Sequence, residues 1–483
     1  MRRIIIYILM IIGVFQISSC NGIVDIDQNT QIATATAWGS EASAQSNVSG
    51  MYYLMRTAFS SGFAYWGEYR NGLWEGGRRN GDHEPLSSVM RNTLNSTNTM
   101  SNWANLYTTI NQANLAITHL PDVHFADEQT KAEALASAYF VRAFCYYWIA
   151  RIWGDAPLEL VPYESLSNNQ FLPRTSVSDI FVQVESDILR ARELIAPTAI
   201  SKIQVSYAAV EMLTADYFLW KYKKLQGSDA DLNMANQAVQ NVLNNPSYGL
   251  EAVFADIFEK EATTKEVIFK WPYTQAEYEN GYPYDYLYAT TNIADVTLRN
   301  TVIPVSPDPQ WVNITPAYAA FLYEDADIMP DSRAAVSYGV YETFGWVNKF
   351  PGHLIAGERV YDTDINVYRY ADAILFDAEI KLAQHDVAGA KIALNKIATR
   401  AYNLPTKYDG LTLEQDVLNA IVAERKKEFV GEGRTWWDFI RLGVVFTECP
   451  SLVGRENEKN ILLWPVHTNS INSNPNVKQT EGY

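Results

Sequence analysis

Two carboxylates one helical turn apart, Glu424 and Glu428, are the residues of this chain best spaced for acid–base chemistry, since such a pair can serve a glycosidase as proton donor and nucleophile. Their neighbours point elsewhere. Arg425, Arg434 and Arg441 are close in sequence, and arginines hold carboxylates as anions, the wrong state for a general acid at neutral pH; structural ion pairing is the expectation. Asp372 and Asp438 read the same way, as capping or packing partners of nearby arginines. No H-E-x-x-H, Walker A loop, G-x-S-x-G elbow or C-x-x-C pair occurs, and the six histidines scatter without ligand spacing. Asp362, Asp364 and Asn366 supply the first three alternating oxygens of a calcium loop but lack its later glycine and glutamate. No cofactor is expected, with a structural calcium there as the one metal to consider.

Binding without chemistry is what remains, and the chain carries 13 Trp, 30 Tyr and 19 Phe for it. A sugar ring offers an apolar C–H face edged by hydroxyls, so a flat aromatic can cover the face while amides and charges satisfy the rim. Two clusters fit. Trp66, Tyr69, Trp74 and Arg78 sit among glycines that do not suit a helix interior, which predicts a loop that exposes its rings. Tyr282, Tyr284 and Tyr286 alternate, so an extended strand would turn all three to one side, and Trp311 follows. These eight are the candidate ligand-binding residues. Tyr139, Tyr146, Tyr147 and Trp148 instead share a buried helical face, and Cys145 within that run reads as a buried free thiol.

The elements that must position these groups are mostly helices. Apolar residues recur at three and four from Asn102, and again over Glu128–Arg151, Ser176–Ile195, Ser206–Lys224 and Asp229–Leu243. In the last third they recur over Val367–Gln384, Val387–Tyr402, Leu413–Val430 and Thr435–Leu442. The helices come in pairs with short polar connections, which predicts a mostly α, tetratricopeptide-like superhelical scaffold. Residues 248–362, broken by prolines, read as a long irregular insert carrying the ligand site.

Ahead of the scaffold, Arg2 and Arg3 precede the apolar run Ile4–Phe15, too short for a bilayer-spanning helix, and Ser18-Ser19 lead into Cys20. Residues 1–19 are expected to be a lipoprotein signal peptide, Cys20 the acylated residue, 20–49 an extended tether and 50–483 one domain. The formal charge of −17 argues against nucleic acid as a partner.

Several blocks in order resemble the SusD/RagB outer-membrane lipoproteins. They are Val24-Asp25-Ile26-Asp27, the Trp103–Asn114 helix with Tyr107, Ile110 and Asn111, and Arg142 leading to Gly154-Asp155-Ala156-Pro157. Further on come Tyr368-Arg369-Tyr370-Ala371-Asp372 with Glu379, Glu424-Arg425 through Glu428, Glu432 and Arg434, Trp437-Asp438 with Arg441, and the ending Leu463-Trp464-Pro465 to Tyr483. The C-terminal block spans about 363–483. The resemblance implies a non-enzymatic, lipid-anchored nutrient-binding protein of the outer membrane, facing the cell exterior. It would deliver oligosaccharides to a SusC-like TonB-dependent transporter. An oligopeptide cargo, a glycoside hydrolase using Glu424 and Glu428, and a helix-repeat adaptor without a small ligand are the competing readings.

Overall fold

The computed structural model describes residues 34–60, 62–78, 83–164, 171–259, 264–276, 282–324 and 329–483; the expected signal peptide, Cys20, the start of the tether and the side chain of Tyr282 lie outside them. Helix α1 spans Glu41–Phe59 and α2 Gly62–Gly67; α3 is Ala104–His119, α4 Glu128–Trp153, α5 Val177–Leu194, α6 Tyr207–Lys224 and α7 Asp229–Leu243. After the insert come α8 (Tyr370–Ala383), α9 (Val387–Tyr402), α10 (Glu414–Glu428) and α11 (Thr435–Leu442). The ends follow from local chemistry. The carboxylate of Asp127 accepts from the amides of Gln129 and Thr130, the hydroxyls of Ser176 and Ser206 accept from Asp179 and Ala209, and Gly154 closes α4 at φ +73°.

Consecutive helices stack in pairs, α3 on α4, α4 on α5, α6 on α7 and α8 on α9, giving the tetratricopeptide-like scaffold anticipated from periodicity. Because α7 also packs on α8, the chain leaves the helical layer after Leu243 and returns to it. The insert is therefore an excursion. Its root is closed where β2 (Val267–Trp271) pairs antiparallel with β6 (Ile365–Arg369), Trp271 opposite Ile365 and Val267 opposite Arg369.

Three expectations need correction. Residues up to 49 are not wholly an extended tether, because Ser40 and Ser43 form a reciprocal cap and α1 starts at Glu41. The segment from Val367 begins as a strand, with α8 starting only at Tyr370, where Asp372 accepts from the Arg369 amide at 3.0 Å. Tyr282–Tyr286 is a 3-10 turn and not an extended strand, and in such a turn residues two apart, as Tyr284 and Tyr286 are, point to different sides. Cys145 and Cys449 are both free and buried.

Candidate functional site

The two aromatic segments do meet. β1 (Trp74–Gly76) pairs antiparallel with β3 (Val312–Ile314), with Trp74 opposite Ile314 and Glu75 opposite Asn313. Trp74 stacks on Tyr286 with centroids 5.5 Å apart, Tyr69 meets Trp74 edge-on at 5.2 Å, and the Tyr69 hydroxyl donates to that of Tyr286 at 3.2 Å. Yet these rings are floor. Trp74 is 4% exposed, Trp66 4%, and Tyr69 and Tyr286 not at all, which overturns the exposed-loop expectation. Gly62 and Gly67 are the first and last residues of the short helix α2, and Trp66, on that helix, donates its indole N–H to the Met100 carbonyl at 2.9 Å. Tyr284 is half-buried edge-on to Tyr361 at 4.6 Å, and the half-buried Trp311 meets His83 at 4.5 Å. Of the eight candidates, Arg78 alone is described as exposed.

Above that floor lies a groove of about 360 Å³, within the range of small-ligand sites. Strand alternation builds it: Trp74 points in, so Glu75 points out, beside Asn313 across the pair. The far wall is the hairpin β4 (Tyr338–Tyr341) and β5 (Phe344–Val347), which brings Tyr338 and Phe344 to the same groove, with Tyr288 below. The guanidinium of Arg78 lies 5.9 Å over the Phe344 ring, and partial burial raises the pKa of Glu75. The Asn313 amide donates to the Tyr338 hydroxyl at 3.3 Å and to the Gly345 carbonyl at 3.2 Å. Gln310 donates to the carbonyls of Tyr286 and Gly345 and accepts from the Arg78 amide at 3.2 Å. Side chains are excluded where the backbones come closest: a Cβ on Gly345 would strike the Tyr338 hydroxyl, and one on Gly77 the Gln310 carbonyl. Rings, an amide, a carboxylate and a guanidinium thus converge in a preorganised frame, suited to a ligand half apolar and half hydroxylated. Asn313, Tyr338 and Phe344 escape the sequence reading, and Glu75, which stands inside the Trp66–Arg78 cluster, is not among its eight candidates. The signal for Glu75 was present, in its alternation with Trp74.

Glu424 and Glu428 lie in no groove. They are 1% and 0% exposed. Arg333 reaches Glu424 at 2.8 Å and Glu428 at 3.1 Å, Arg369 reaches Glu428 at 2.9 Å and Arg400 reaches it at 2.7 Å; the hydroxyls of Tyr402 and Tyr408 also donate to Glu424. Burial opposes ionisation of Glu428, but Arg400, Arg369, Arg333 and Lys349 together outweigh it and hold its carboxyl well below the usual range. The network continues through Lys349–Glu432 at 2.6 Å, Arg425–Asp438 at 2.7 Å, Arg434–Asp372 at 2.8 Å and Arg441–Glu379 at 2.7 Å. It ties the insert to α8–α11. Arg333 and Lys349 flank the β4–β5 hairpin, so the same charges seat the groove wall. Of the oxygens considered for calcium, Asp364 pairs with Lys270 at 2.5 Å, and Asp362 lies 2.9 Å from the His353 ring. Among the described residues no group of three His, Cys, Asp or Glu could hold a metal ion.

A scaffold of stacked helix pairs whose long insert folds back to frame a ring-and-amide groove defines the class of protein. The chain is a SusD-like protein. The model of the SusD family matches residues 319–483, and a second, described as starch-binding associating with outer membrane, matches 78–214; the two together span more than half of the chain. SusD-like protein P38 of Formosa agariphila is 23% identical over the whole chain and 99% of its own length. Among solved structures, NanU of B. fragilis superposes with a TM-score of 0.80 at 25% identity, covering 95% of this chain and 100% of that one. A laminarin-binding SusD-like protein superposes with a TM-score of 0.75 at 20% identity, covering 92% and 100%, and speaks for the fold alone. No helix among the described residues is long and apolar enough to cross a membrane.

Proposed function

We propose that this chain is a non-enzymatic, lipid-anchored protein of the outer-membrane surface that captures oligosaccharides and hands them to a SusC-like TonB-dependent transporter. The observation that carries the reading is the groove in which Glu75, Arg78 and Asn313 rim the rings of Tyr338 and Phe344. A saccharide laid there meets ring faces for its C–H groups and fixed polar partners for its hydroxyls. The family, whose second matching model is described as starch-binding, favours a sugar over a peptide cargo.

Arg78→Ala and Asn313→Ala, assayed by calorimetry against a glycan panel, are each expected to weaken binding by about 1–3 kcal/mol, roughly ten- to a hundredfold. Unchanged affinity for every glycan bound would remove the site from this groove. Binding of peptides with no sugar bound would replace the cargo and keep the groove.

Membrane attachment rests on Cys20 after its short apolar leader. Cys20→Ala is expected to shift the protein from the outer-membrane fraction to the soluble one, or to stall processing. A variant that is processed normally and stays membrane-bound counts against acylation.

A further inference from the structure

A second groove, of about 580 Å³, lies where the start of α3, the Pro157–Tyr163 segment and the C-terminal helix α12 (Thr468–Ser473) meet, and none of its lining residues lines the first. Its lining is largely apolar, with Trp103, Pro157, Val477 and two tyrosine rings, and carries amide and hydroxyl side chains among them. Tyr107 spends its hydroxyl on the Pro157 carbonyl at 2.7 Å, and the Tyr163 amide donates to Oδ1 of Asn111 at 2.7 Å. That bond orients the Asn111 carboxamide and leaves its N–H₂ donors without a partner among the described residues, as are the side-chain polar atoms of Asn469 and the hydroxyl of Ser470. No lysine or arginine is among the described residues that line the groove. Its one acid, Glu159, is bonded to the Tyr163 hydroxyl, and burial raises its pKa.

We propose that this groove is a second saccharide-binding site, selective for neutral sugar chains. The volume suits a few sugar units, and tyrosine rings and unpaired amide donors are the groups a polyhydroxylated chain uses. With no lysine or arginine among the described residues of its lining, the groove offers uronates and phosphates no cationic partner. The insert groove, with Arg78 at its rim, carries no such bias.

The test uses the protein without residues 1–20, with Arg78→Ala and Asn313→Ala combined to weaken the insert groove. The probes are maltohexaose and laminarihexaose, both neutral, and hexagalacturonate, which is anionic. In calorimetric titration at least one neutral hexaose is expected to bind this variant saturably, with hexagalacturonate about tenfold weaker or more. Adding Asn111→Ala, or separately Asn469→Ala on the exposed face of α12, is expected to reduce that binding about tenfold, while melting temperature confirms folding. The proposal is overturned if neither neutral hexaose binds the insert-groove variant, if binding survives both added substitutions, or if the anionic chain binds as well as the neutral ones. The two sites are distinguishable: unmodified protein that binds a hexaose which the Arg78/Asn313 variant loses completely keeps the insert groove and removes this one.

Discussion

Trp74→Ala is expected to lower the unfolding free energy by about 3–5 kcal/mol, the range for deleting a large aromatic from a packed core. The ring is 4% exposed and lies between Tyr69 and Tyr286, and its strand partner Ile314 is 1% exposed. Nothing nearby can fill the space: Tyr69 and Tyr286 are joined through their hydroxyls, and Tyr286 stacks in turn on Phe350 at 6.3 Å. Thermal melts should therefore place Trp74→Ala beside Trp148→Ala, whose ring packs edge-on to Trp437 at 5.5 Å and is 7% exposed. Glycan affinity should fall as well, because Glu75 and Asn313 ride on the strand pair this ring anchors. A variant with an unchanged melting temperature and lost affinity would mean that the ring touches ligand after all, and the floor assignment would be wrong.

Glycine-rich surroundings suggest an exposed loop, but here Gly72 and Gly77 serve close backbone approach, to Pro450 and to Gln310, and a close approach buries what lies beside it. Local composition cannot distinguish the two cases, since the partners are hundreds of residues away. Periodicity fared better because it is local. Asp229–Leu243, Val387–Tyr402 and Thr435–Leu442 have the very bounds the apolar spacing implies, each set by a cap or a stop such as Asp386 or Gly443. Tyr282, Tyr284 and Tyr286 show the opposite limit: alternation implies a shared face only on a strand, and Pro283 within Tyr282–Tyr286 accompanies a turn. The groove residues Tyr338 and Phe344 belong to a hairpin of the insert that nothing in the first hundred residues foretells. Only the long-range pairing of β1 with β3 brings that wall to Arg78.

Arg369→Met should be the most damaging single change in the ion network, costing about 3–5 kcal/mol, because it removes the one cation that three buried carboxylates share. Arg369 is wholly buried and contacts Glu266 at 2.5 Å, Glu428 at 2.9 Å and Glu432 at 2.8 Å. Methionine fills much of the volume and supplies no charge. The pH dependence has a definite sign. Burial works against ionisation of Glu432 and Asp438, but Arg369 and Lys349 for the first, and Arg425 and Arg441 for the second, hold both carboxyls below their ordinary values, as the cations around Glu428 do for it. A depressed carboxyl stabilises the fold fully above its unfolded pKa and loses that contribution as pH falls through the folded one, so the loss sets in below about pH 4.3. Burial raises Glu68 to about 8 and Asp372 to about 6, and these two act in the opposite direction, favouring the fold as pH drops from neutral towards 4. Urea unfolding across pH 3–8 should then show stability holding or rising slightly on acidification to about pH 5 and falling steeply below about 4.3. In Arg369→Met the steep limb should become shallower, since Glu428 and Glu432 each lose one of the cations that depress them while Arg400, Arg333 and Lys349 remain. The groove should report the same change: Arg333 and Lys349, bound to these carboxylates, flank the hairpin that carries Tyr338 and Phe344, so a variant still folded at neutral pH should bind glycan more weakly. A variant within about 1 kcal/mol of the parent, with its acid limb unchanged, would show that the network contributes little to stability and that the hairpin is seated by its apolar contacts instead.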